Sequence, residues 1–262
     1  MILPGRFNPS DPANLNDWRD FFETAHKRFN RPDFIPDDPV SIPHRYSRKE
    51  DIEIAGFLTA IISWGNRASI LKNASNLMKL MDDVPADFIF HAKKKDLEKL
   101  DHFVHRTFQS TDLLAFVYAL QQIYLHDGGL EQSFLHGETM MEKISNFKRI
   151  FFSFPHAGRT EKHLPDPLQG SAAKRINMFL RWMVRKDEQG VDFGIWKKIS
   201  PADLICPLDV HSGRTARKFG LLLRRQDDWK SAMELTSNLR ILDPADPVRF
   251  DFVLFGLSLQ LK

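Results

Sequence analysis

The chain of 262 residues contains one cysteine, Cys206. A single thiol excludes an internal disulfide, an all-cysteine zinc site and a four-cysteine iron–sulfur cluster. No apolar run approaches the roughly 18 residues that a membrane span needs, so no membrane partner is expected. The opening stretch, MILPGRFNPSDP, carries no hydrophobic core of signal-peptide type. A reducing cytoplasm is the expected location. Sustained strict alternation of apolar and polar residues is also scarce, which disfavours strands. Neither internal repeats nor low-complexity tracts are found. What remains is an ordinary globular composition, 42% hydrophobic and 27% charged. A chain of this length buries roughly 70–75% of its unfolded surface and needs no staple to hold a core.

The net charge of +3 is small, but it is unevenly spread. The stretch from Lys174 to Lys230 holds 13 Lys and Arg against 7 Asp and Glu, leaving the rest of the chain net negative. One basic region on a near-neutral protein suits a phosphate-rich partner, or is simply a solvated basic surface.

Helical spacing recurs along the chain. Trp18, Phe21, Phe22, Ala25 and Phe29 form one stripe, and Ile54, Phe57, Leu58, Ile61 and Ile62 another. Ser47 with Glu50, and Thr139 with Glu142, have the form of capping boxes. The second box precedes Ile144, Phe147 and Phe151; later stripes are Ile176, Phe179, Leu180, Met183 and Val248, Phe252, Phe255. Pro32, Pro36, Pro39 and Pro43 exclude regular helix over 30–46, which is expected to run extended. Residues 153–170 read as a long loop, and 187–209 as a connection with a short helix around Ile195. The expectation is an all-α protein. An N-terminal segment, 1–46, with one helix would precede a helical body, 47–262, whose lobes cover about 47–153 and 154–262.

The segment LQGSAAKRINMFLRWMVR leads from a glycine loop into an amphipathic helix. Lys174, Met178, Arg181 and Arg185 share one of its faces. Lys174 falls in the opening turn, at the positive end of the helix dipole, where a second positive charge is disfavoured. A lysine poised to lose its proton is a nucleophile; the plainer alternative is an exposed surface lysine. Downstream, CPLDVHSGRTARKFGLL places Asp209 before a helix ending near Gly220, with Val210, Ala216, Phe219 and Leu222 as candidate core residues. Asp209 suits a helix N-cap, and a carboxylate held by amide N–H groups can also stabilise a cation.

These two segments resemble the helix-hairpin-helix base-excision DNA glycosylases. Leu168, Gly170, Lys174 and Asn177 match the hairpin of that superfamily, and Leu208, Asp209, His211, Arg214, Arg217, Phe219, Gly220 and Leu221 its downstream signature. The chain throughout also resembles a bacterial family known by a domain-of-unknown-function label. The glycosylase resemblance implies a helix-hairpin-helix glycosylase-like fold with a cleft between two helical lobes. It implies a Schiff-base lysine at Lys174 and a catalytic aspartate at Asp209, in an enzyme that cleaves the N-glycosidic bond of a flipped-out base. The same resemblance puts Ser63, Trp64, Gly65, Asn66 and Arg67 where the family fills the gap left by the extruded base. Trp64 is then a stacking or wedging residue, or else core packing.

Phosphate contacts would come from Gly170 and Ser171 in the hairpin and from Arg175, Arg181, Arg185, His211 and Arg214. Damaged duplex DNA is the implied partner, with RNA equally open. No cofactor is expected beyond a monovalent cation of the kind some hairpins of the superfamily hold on backbone carbonyls. The sequence departs from the pattern at Gln169, where proline is usual, at Ala172, where glycine is usual, and in the 35 positions between Lys174 and Asp209. Two readings compete with the enzyme: a non-catalytic all-α nucleic-acid-binding protein on the same scaffold, and a helical module whose basic segment meets an acidic protein. The ten histidines form no H-E-x-x-H or paired Cys/His array, and Ser212 has no G-x-S-x-G elbow.

Overall fold

A computed structural model describes residues 3–260. Among these residues it is mostly helical, with one two-stranded sheet. The helices are α1 (Pro12–Phe29), α2 (Lys49–Ile61), α3 (Arg67–Leu80), α4 (Pro85–His91), α5 (Lys94–Leu97), α6 (Ser110–His126), α7 (Leu130–Ser133), α8 (Met140–Phe151), α9 (Lys174–Val184), α10 (Val210–Phe219), α11 (Trp229–Leu242) and α12 (Asp251–Gln260). The hairpin of β1 (Val104–His105) and β2 (Phe108–Gln109) lies between α5 and α6. No described helix is long and apolar enough to cross a membrane.

The chain divides into two compact units. One joins the N-terminal residues up to Phe34 to everything from Pro167 onward; the other is the continuous stretch Ile35–Asp166. This division differs from the expected boundaries at 46/47 and 153/154. The cause is long-range packing of the α1 stripe. Trp18 meets Phe219 at 5.3 Å between ring centres, and Phe22 meets Phe250 at 4.9 Å. Aromatic pairs at such distances contribute about 0.5–1.5 kcal/mol beyond their buried area. They make the N-terminal helix part of the C-terminal unit.

In the continuous unit, α2 is buried on nearly every side: from Ile52 to Ile61 each residue is buried, Glu53 included. The single stripe seen in sequence understated this central position. Phenylalanines fill the interior around it. Phe57 meets Phe147 edge-on at 5.7 Å, Phe116 meets Phe151 at 4.8 Å, and Phe134 stacks on Phe147 at 3.8 Å. The fully buried Asp112 of α6 accepts a hydrogen bond from Thr160 Oγ1 at 2.7 Å and so anchors the 3-10 turn Gly158–His163.

The Thr139/Glu142 capping box forms, with Glu142 N donating to Thr139 Oγ1 at 3.2 Å and Thr139 N to a Glu142 carboxylate oxygen at 2.9 Å. The Ser47/Glu50 box does not form: α2 is capped by Arg48 without a side-chain bond, and Glu50 pairs with Arg48 instead. Residues 30–46 are not extended. Their prolines initiate three 3-10 turns, Pro32–Phe34, Pro39–Ser41 and Pro43–Arg45, for which the fixed φ of proline is suited. The stretch around Ile195 is irregular, and the 3-10 turn of that connection is Pro201–Asp203.

Candidate functional site

The loop that precedes α9 is held at both ends. Gly170 sits at φ +86°, a left-handed conformation that favours glycine, and its carbonyl accepts from Trp229 N at 3.1 Å. Ser171 pairs with Asp228 in an isolated bridge. Ala173 is also left-handed, at φ +48°, which costs an alanine roughly 1–2 kcal/mol. Asn177 Nδ2, one turn into the helix, donates to the Ala172 carbonyl at 3.0 Å and fixes this bend. The chain therefore enters α9 at a defined angle, with Lys174 as its opening residue.

Asp209 caps α10. Its Oδ1 accepts from His211 N at 2.9 Å and Ser212 N at 3.0 Å, satisfying donors that the helix itself leaves unpaired. Its other oxygen, Oδ2, lies 3.8 Å from Lys174 Nζ. Both side chains are 31% exposed. An amine and a carboxylate 35 positions apart thus meet in one unit, open to solvent, with one carboxylate oxygen committed to the helix and the other facing the amine.

Three more of the expected residues flank this pair. His211 and Arg214 are exposed on α10. Arg175 is partly buried, and desolvation pushes its guanidinium down to about 10. Lys218, also exposed, follows Arg214 at i+4 and was missed; the i, i+4 spacing alone would have indicated it. Val210, expected in the core, is the first residue of α10 and is 59% exposed.

Arg181 and Arg185, expected at phosphates, are buried at 4% and 2% exposure. Arg181 Nε is 3.3 Å from Asp192 Oδ1, and its Nη1 donates to Asp251 Oδ2. Arg185 Nη1 reaches Asp192 Oδ2 at 2.9 Å and Asp187 Oδ2 at 2.7 Å, and its Nε reaches Asp246 Oδ2 at 2.7 Å. Neither guanidinium is available to DNA: a buried charge needs such partners, and four carboxylates occupy these two. The face of α9 that begins with Lys174 thus continues inward as an alternating ladder of Arg and Asp.

The remaining expected contacts, Trp64, Gly65, Asn66 and Arg67, belong to the other unit. Asn66 caps α3 by accepting from Ser69 N at 3.2 Å. Trp64 is half-buried. Its carbonyl lies 3.1 Å from His105 Nε2, while Asn73 Nδ2 donates to His105 Nδ1 at 2.8 Å, an arrangement that leaves the imidazole proton on Nε2. The Arg106 guanidinium lies 4.8 Å from the centre of the Trp64 ring. Gly65 sits at φ +103°, a conformation that favours glycine, and a Cβ there would stand 2.8 Å from Arg106 Nη1, so the arginine would have to shift. Trp64 is therefore both packed and partly presented, and the β1–β2 hairpin holds it. Sequence reasoning missed His105 and Arg106, since no local pattern joins them to residue 64.

Among the described residues no three His, Cys, Asp or Glu side chains gather as a metal-holding group. Neither the curated proteins nor the solved structures include a match to this chain. A family model described as Protein of unknown function (DUF2400) matches residues 38–260, and the chain belongs to that family.

Proposed function

We propose that this chain is a helix-hairpin-helix DNA glycosylase with lyase activity, acting on a damaged base in duplex DNA through Lys174 and Asp209. The observation that carries this reading is the solvent-open approach of Lys174 Nζ to Asp209 Oδ2 at 3.8 Å, with Lys174 opening one helix and Asp209 capping another. The exposed His211, Arg214 and Lys218 of α10 support a polyanionic substrate.

The chemistry follows from these two groups. The base is flipped out of the stack, and its departure leaves positive charge on the sugar. Asp209 Oδ2 stabilises that charge and accepts the proton that the Lys174 ammonium gives up. The amine lone pair then forms a bond to the sugar C1′, the bond to the base having broken and its electron pair having left with the base. Asp209 passes its proton to the departed base anion, then relays the second amine proton to O4′ as the C1′–O4′ bond breaks, which leaves a protonated imine. Again a carboxylate, it takes a C2′ proton as the 3′ phosphate leaves with its electron pair and the strand is cleaved. Arg214, His211 and Lys218 contact backbone phosphate.

Borohydride trapping on abasic and oxidised-base duplexes tests the proposal. A covalent adduct is expected with the native chain and none with Lys174→Gln, which folds normally because the side chain is partly exposed. Salt-dependent DNA binding without an adduct across a broad lesion panel would leave a non-catalytic nucleic-acid-binding protein in its place. An adduct that persists in Lys174→Gln would overturn the residue assignment.

A further inference from the structure

Helix α1 ends at a cavity of about 690 Å³ whose lining includes neither Lys174 nor Asp209. Its walls come from the last turns of α1, the loop after Arg185 and the segment between α11 and α12. Four partly or fully shielded carboxylates line it, those of Glu23, Asp187, Asp243 and Asp246, against the two guanidinium groups of Arg185 and Arg249. Arg249 pairs with Glu23 and Asp243, while Arg185 serves Asp187 and Asp246 and also Asp192 behind them. The other charged lining residues, Lys27, Arg31, Asp33 and Glu188, are exposed and cancel one another. His26 adds no positive charge near neutral pH, because burial holds its imidazole down to about 4. Carboxylates therefore outnumber cations by two around this cavity.

The polar atoms left over there are acceptors. Asn30 is 2% exposed; its Nδ2 donates to Asp187 Oδ2 at 2.9 Å, while its Oδ1 has no partner. Asp246 accepts from Arg185 Nε on Oδ2 at 2.7 Å, and its Oδ1 has none. His26 Nε2 is likewise buried without a partner, and accepts when the ring proton is on Nδ1. Buried polar atoms are normally satisfied, and these three belong to residues that line one cavity. The negative end of the α1 dipole adds to the same sign. Asp246 carries the cost: burial raises its carboxyl above the usual range although Arg185 opposes the rise.

We propose that this cavity binds a small organic cation rich in N–H donors, a free amine or guanidine, whose charge offsets the carboxylate excess and whose N–H groups are taken up by Asn30, Asp246 and His26. The volume is that of a small-molecule site, far more than one metal ion fills. The side chains do not suit a metal either, since no three His, Cys, Asp or Glu among the described residues gather as a metal-holding group. A carboxylate that is buried with one oxygen unpaired is costly, so an occupant that brings both charge and donors is favoured over water. This inference is independent of the glycosylase reading, because the two sites share no residue.

Calorimetric titration of the full chain with agmatine, which has a guanidinium at one end and an ammonium at the other, tests the site; uncharged butylurea is the control. Saturable binding at one site per chain is expected for agmatine and none for butylurea, with a rise in the thermal midpoint as the folded state is occupied. Asp246→Asn keeps an oxygen for Arg185 and should weaken agmatine about tenfold or more, the scale of losing a hydrogen bond to a charged group. Glu188→Lys, an exposed change that leaves the core intact, should weaken it by a few-fold through repulsion. No saturable binding of agmatine, or an affinity unchanged in both variants, would overturn the site. Displacement of agmatine by an equal concentration of calcium would overturn its organic character. Tighter binding of an end-blocked Gly-Arg-Gly peptide than of agmatine would assign the cavity to a protein side chain and overturn the free ligand.

Discussion

The two units keep their interiors together by different means. The continuous unit is filled with phenylalanine, centred on Phe57, Phe116, Phe147 and Phe151, and its packing depends on shape and area. The other unit also buries large rings, Trp18, Trp182 and Trp196 among them, but through it runs the Arg181–Arg185 ladder with Asp187, Asp192, Asp246 and Asp251. Apolar packing is indifferent to protons, whereas a charge ladder has to be completed. The Lys174–Asp209 pair of the same unit differs from the ladder in exposure: both of its side chains are 31% exposed.

The largest expected effect tests this contrast directly. Phe57→Ala and Arg185→Met should each cost about 3–5 kcal/mol, the one through a cavity, the other through carboxylates left buried without their cation. Urea denaturation at pH 5 and pH 8 separates the two. The Phe57→Ala loss should be the same at both, whereas the Arg185→Met loss should shrink at pH 5 as the stranded carboxylates take protons. Equal losses at the two pH values would mean that the ladder contributes by packing alone.

A smaller effect concerns His26, whose imidazole is held down to about 4, chiefly by burial and then by Arg185. A histidine lowered in the folded state binds fewer protons than the unfolded chain between pH 6.5 and 4, so stability falls as pH drops through that window. The loss should amount to about 2 kcal/mol after allowance for the ring's partial exposure, and His26→Gln should flatten it. Asp251 has the opposite sign. Its raised carboxyl makes the folded state the stronger proton binder between its unfolded value and about 6, so its penalty grows as pH rises through that range.

Asp209 separates stability from chemistry. Asp209→Ala should cost about 1 kcal/mol by removing the cap, and Asp209→Asn almost nothing, since asparagine caps equally well. Both should reduce trapping by about 10²–10³-fold, the scale of losing one preorganised electrostatic group. A fully active Asp209→Asn would reduce the residue to a cap. The smallest effect is expected at Val210→Ser, within about 0.5 kcal/mol in a thermal melt, because that side chain is largely exposed.

The Thr139/Glu142 box, the burial of Trp18, Phe21 and Phe22, and the end of α10 at the left-handed Gly220 were legible in residue order, because each depends on neighbours within one or two helical turns. The pairing of residues 174 and 209 was legible only through resemblance, since no spacing rule links two residues so far apart. Residue order could not show that Arg181 and Arg185, on the helix face that starts at Lys174, are buried: amphipathic spacing marks a face as polar without saying whether water or carboxylates will meet it. Nor could it show that α1 belongs with the C-terminal half, or that Trp64 is held by His105 and Arg106. Helix formation, capping and turning are local balances of dihedral preference and hydrogen bonding. Which charges are desolvated, and by which partners they are satisfied, is decided only when distant segments close over them.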